Sequence, residues 1–130
     1  MSERMDERWG EASPLTLVTD AVTFPELRSE GRVHYLVASG ERDSGAWGVI
    51  GTFWLSWDLE RGGFLVNPNA LYVGSEMVRS YRGALKRGWT HEQIYRYWQS
   101  RVGRKNEPMK IDRQQQADTL MRLNQMVSSL

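Results

Sequence analysis

The stretch "YRGALKRGWTHEQIYRYWQSRVGRK", residues 81–105, concentrates side chains that can do binding chemistry. Arg82, Lys86, Arg87, Arg96, Arg101, Arg104 and Lys105 stand against one acid, Glu92, and five aromatics are threaded among them. Guanidinium groups grip phosphate or carboxylate bidentately and stack on aromatic rings. Such a set suits a phosphate backbone. The plainer reading is a helical pair with a solvated basic face.

Charge is divided along the chain. Residues 1–60 hold eleven acids and five bases, and residues 61–130 hold five acids and twelve bases, so the halves carry −6 and +7 within a net +1. That asymmetry suggests one anion-seeking side, or two halves that attract each other. A chain of 130 residues without cysteine is one domain by size and has no disulfide framework, thiolate metal site or cysteine nucleophile. No run is apolar enough for a membrane span and the N-terminus is charged, so a cytoplasmic protein with no membrane partner is expected.

Period-two alternation places strands at 32–38, 46–57 and 64–67, with "LTLV" (15–18) as a fourth candidate. In 46–57 the odd positions, including Trp47, Phe53, Leu55 and Trp57, are the expected core face. The period then lengthens. Ser75 is the expected cap of a helix over 75–87, Gly88 its stop and Thr90 the start of a second helix over 90–102. Thr90 and Gln93 have capping-box spacing, and Trp89 and Ile94 staple spacing. A third helix is expected over 110–127. The fold class is therefore α+β: an antiparallel meander of three to four strands (about 15–67) followed by three helices packed on one face, after a mobile acidic tail at 1–14.

Ala84, Gly88, Trp89, Thr90, Ile94 and Tyr97 have a spacing similar to that of a helix-turn-helix hairpin. Arg87 and Gly83 depart from it, and no family is assigned on this basis. On that geometry His91, Gln93 and Tyr95 would read bases, while Arg79, Arg82, Lys86, Arg87, Arg96, Arg101, Arg104 and Lys105 would hold phosphates of DNA or RNA. This nucleic-acid-associated reading leads. The alternative is a protein-binding inhibitor, adaptor or regulator of the kind phages and mobile elements carry, acting by surface occlusion. It would use Trp54, Glu41 and Asp43 at its interface, or mimic nucleic acid with Glu26, Glu30, Glu41 and Asp43. A homodimer is a further option. Trp54 and Ile50 form an exposed patch unless the N-terminal segment covers them.

Nothing in the sequence has the spacing of a catalytic triad, an HExxH metal site, a Walker loop or a GxGxxG turn. Loop "SGERDSG" (39–45) offers too few oxygen ligands for calcium. No enzyme, metal or cofactor is expected. A cleft joining His34 to Asp58 or Glu60 would reopen the enzyme reading.

Overall fold

Alternating β-branched and aromatic residues build the first three elements. The computed structural model describes residues 31–105 and 107–130. The expected tail, the "LTLV" strand, Glu26 and Glu30 lie outside them. Strands β1 (Val33–Glu41), β2 (Trp47–Ser56) and β3 (Gly62–Val66) form the antiparallel meander. The fold is α+β: an antiparallel sheet with three helices.

The odd positions of β2 do not form one core face. Ala38 pairs with Gly51 and Ser39 with Val49, so Ile50 is an extra, bulged residue. A bulge reverses the parity of the strand on its two sides. Ile50, Phe53 and Leu55 therefore reach the same core, while Trp47 and Trp57 are 59% and 49% exposed.

Asn67 caps a short 3-10 turn (Pro68–Ala70) that runs directly into α1 (Leu71–Lys86). The helix thus starts one turn before Ser75. That serine is buried inside it, its hydroxyl donating to the Tyr72 carbonyl at 2.8 Å. The first free amides of α1 go instead to Asp43, whose carboxylate accepts from Tyr72 N at 3.0 Å and Val73 N at 3.1 Å. Gly74 brings α1 close to the sheet, because a Cβ there would stand 2.4 Å from Val66 Cγ1. Gly88 ends the helical turn at φ +95°, a conformation that costs glycine little. Thr90 and Gln93 then form the expected capping box of α2 (His91–Gln99).

The region after α2 differs from expectation. Residues 110–117 are not helical. Strands β4 (Lys110–Ile111) and β5 (Gln115–Ala117) return to the free edge of β1, pairing Ala38 with Ile111 and Val33 with Ala117. "DRQQQ" has no apolar stripe, so a helix there would bury nothing. The helix α3 begins only at Leu120 and runs to Ser128, with the Thr119 hydroxyl accepting from Arg122 N at 3.1 Å.

The three helices also do not share one face. Leu36, Phe53, Leu55, Phe64 and Val66 pack against α1 and α2. Val33, Tyr35, Trp54 and Leu65 pack on the opposite face against Leu120, Leu123 and Val127 of α3. Apolar residues at both parities of β2 and β3 require cover on both sides. No described helix is long and apolar enough to cross a membrane.

Candidate docking groove between the first two helices

Helices α1 and α2 cover the sheet without closing on each other. Between them lies a depression of about 380 Å³ lined by Met77, Ala84, Arg87, Trp89, Tyr97 and Trp98, among others. A second, of about 470 Å³, shares Met77, Tyr97 and Trp98 and adds Val73, Arg101 and Met109. The two depressions adjoin at Met77, Tyr97 and Trp98 and follow one another along α1 as a groove.

Its floor is a ladder of rings. Trp98 lies flat on the core residue Phe53, with centroids 4.9 Å apart and planes at 17°. Tyr97 meets Trp98 edge-on at 5.1 Å, and Trp89 meets Tyr97 edge-on at 6.1 Å. Edge-to-face pairs are favoured ring geometries and hold the rings in place. Trp89 remains 43% exposed and Tyr97 41%. At one end Arg101 lies 4.7 Å over the Tyr97 ring, donates to its hydroxyl at 2.8 Å and pairs with Glu107. At the other end Arg87, the last residue before Gly88, lines the wall.

The residues expected to read bases are committed within the fold. His91 Nδ1 lies 2.7 Å from the Tyr81 hydroxyl. Burial raises the Tyr81 pKa and lowers that of His91, which disfavours the charged form of each. Gln93 is spent in the capping box. Tyr95 is only 1% exposed and its hydroxyl donates to Gln114 at 2.9 Å, which removes it from any contact surface.

The expected phosphate-binding side chains do not share one surface. At about 100° per residue, Arg79, Arg82 and Lys86 centre roughly a third of a turn around α1 from Ser80, Ala84 and Arg87. Arg96 occupies the side of α2 away from the groove, 3.6 Å from Glu92 and bonded to Gln99 at 2.8 Å. Arg87 and Arg101 stand at the groove. Arg104 and Lys105 lie beyond α2, exposed.

The alternative interface residues divide similarly. Trp54 is 2% exposed, because α3 covers it, so it cannot be an anchor. Asp43 caps α1, and Glu41 stands exposed at the end of β1. The His34 ring stacks on Trp57 at 4.5 Å. Asp58 accepts from the Ser56 hydroxyl at 2.6 Å and the Glu60 amide at 3.0 Å, which hold its carboxyl below the usual range. Those bonds tie Asp58 to its own turn. Among the described residues, no group of three His, Cys, Asp or Glu side chains is placed to hold a metal.

Trp89 and Tyr97 are the site residues that sequence reasoning missed. Trp89 reads as half of a staple, and Tyr97 only as a position in the helix-turn-helix-like spacing. The available signal was angular: Tyr97 sits about 60° to the side of Ile94 on the helix, a flank position rather than a core one. No family model, curated protein or solved structure matches the chain.

Proposed function

We propose that the chain is a non-enzymatic protein-binding module that takes an amphipathic helix of its partner in the α1–α2 groove. The two adjoining, aromatic-walled depressions along α1 carry this reading. Tryptophan, tyrosine and arginine dominate protein–protein hot spots, and Trp89, Tyr97, Arg87 and Arg101 supply them here. Met77 and Met109 add adaptable walls. From Val73 to Arg87 the groove follows α1 for about 20 Å, the length of nearly four helical turns. A partner helix would lay apolar residues at i, i+4 and i+7 along the floor. Polar residues on its flanks would meet Arg87 at one end and the Arg101–Glu107 pair, with Glu41, at the other. Occupying the groove would occlude the partner's helix, which fits an inhibitor or adaptor.

The test is selection from a displayed peptide library against the whole protein. Enriched peptides should carry apolar residues at helical spacing. Their binding should shift amide resonances along 73–87 and 91–101, and Trp89→Ala/Tyr97→Ala should weaken it at least tenfold. Peptides that bind the double variant as well as the wild type would place the interface elsewhere.

A further inference from the structure

We propose a second site, separate from the groove: the sheet edge formed by the 102–105 turn with β4 and β5 binds the phosphate backbone of a nucleic acid. Two basic segments are fastened together there. Val102 bridges Ile111 in parallel register, and the Gly103 amide donates to the Ile111 carbonyl at 3.3 Å. Arg104 and Lys105 follow this bridge on one segment, and Lys110 and Asp112–Arg113 flank it on the other. Arg104, Lys105, Lys110 and Arg113 are all exposed, and Asp112 is the one acid within 102–105 and 110–113. A shallow depression of about 390 Å³ lies among Lys110, Asp112, Arg113 and Gln115.

The hydrogen-bonding character of this edge is donor-rich. Gln115 accepts the Tyr35 hydroxyl proton on its side-chain oxygen at 3.1 Å. Gln114 accepts from the Tyr95 hydroxyl at 2.9 Å and from Gln99 at 3.1 Å on its oxygen. Gln115 lines the depression, and with its oxygen occupied its amide has N–H groups left to offer, beside ammonium and guanidinium groups that only donate. A ligand for such an edge is acceptor-rich and anionic. Phosphate oxygens fit, and arginine, lysine and glutamine are among the side chains that hold nucleic-acid backbones. An acidic membrane fits less well: Trp47, Trp57, Leu71, Tyr72, Trp89, Tyr97, Met121, Met126 and Leu130 are the exposed large apolar residues among those described, and none belongs to this edge.

The experiment titrates the full chain against a labelled single strand and a labelled duplex from low to moderate salt, by fluorescence anisotropy. Binding should weaken steeply with salt. Arg104→Glu/Lys105→Glu/Arg113→Glu should reduce affinity at least tenfold at low salt. It should also lower the duplex salt slope by about 3, since each neutralised phosphate contributes ~0.9. Trp89→Ala/Tyr97→Ala should bind oligonucleotides as the wild type does. Should the triple variant melt early, Arg104→Gln/Arg113→Gln gives the same reading with a slope change of about 2. No wild-type binding at low salt overturns the site, as does a triple variant that binds normally. Loss of binding in the groove variant would move the nucleic acid to the groove. Binding to phosphatidylserine vesicles but to neither oligonucleotide would identify a lipid surface instead. The groove reading is untouched by any outcome except that of its own double variant.

Discussion

At the scale of single residues, the surroundings of both histidines disfavour their protonated form. Burial lowers the pKa of His91, and burial and the Arg96 charge lower that of His34. Native pKa values below the ordinary 6.5 mean that the unfolded chain takes up protons first as pH falls. Stability is therefore full above about pH 6.5 and lost as pH drops toward the depressed native values. Protonation would also leave His91 Nδ1, 2.7 Å from the Tyr81 hydroxyl, able only to donate. The expected outcome is a urea midpoint that falls between pH 6.5 and 5, with a shallower fall in His91→Gln. Parallel profiles for the two proteins would show that His91 carries none of the effect. Asp58, whose pKa is also lowered, titrates well below this window. The sequence offered His91 as a reader of bases because it stands first in a helix. It could not show that a tyrosine ten residues earlier points its hydroxyl at the ring, since that contact depends on how α1 and α2 sit together.

At the scale of elements, caps decide where helices begin. The start of α2 was legible because both halves of its capping box, Thr90 and Gln93, lie within four residues. The start of α1 was not, because its cap comes from Asp43, 29 residues before Tyr72 in the chain. A carboxylate on first-turn amides also meets the positive end of the helix dipole. Asp43→Ala should cost about 1 kcal/mol. Hydrogen exchange at Tyr72 and Val73 should rise in that variant, and Asp43→Asn should recover part of the loss. Unchanged exchange at those two amides would mean that the cap contributes nothing in solution. Separation along the chain hides β4 and β5 in the same way. Neither has the length or alternation of a strand by itself, and both exist because β1 has an edge to fill. The groove was half legible: its aromatics were visible in the sequence. Which of them would stay exposed depended on α2 turning Trp98 onto Phe53 and leaving Tyr97 at the flank.

At the scale of the whole molecule, the sheet is a shared wall between two cores. Phe53 and Leu55 point into the core under α1 and α2, while Trp54 between them points into the core under α3. Consecutive residues of one strand cannot leave one core and keep the other. The two faces should therefore unfold together, as single domains of this size commonly do. Leu123 tests this from the side away from the groove. It is fully buried in the core under α3, with no groove residue in its cluster. Leu123→Ala should cost ~2–5 kcal/mol through lost contacts and the cavity left behind. If the cores are coupled, the loss should appear as one transition by circular dichroism and by tryptophan fluorescence, which also reports Trp89 and Trp98 on the groove side. A variant in which α3 melts first, with the groove signal unmoved, would make α3 a separable cover. The groove would then rest on α1, α2 and the sheet alone. A single shifted transition ties the integrity of the groove to a helix on the opposite face. Substitutions along α3 would then weaken partner binding without touching the partner.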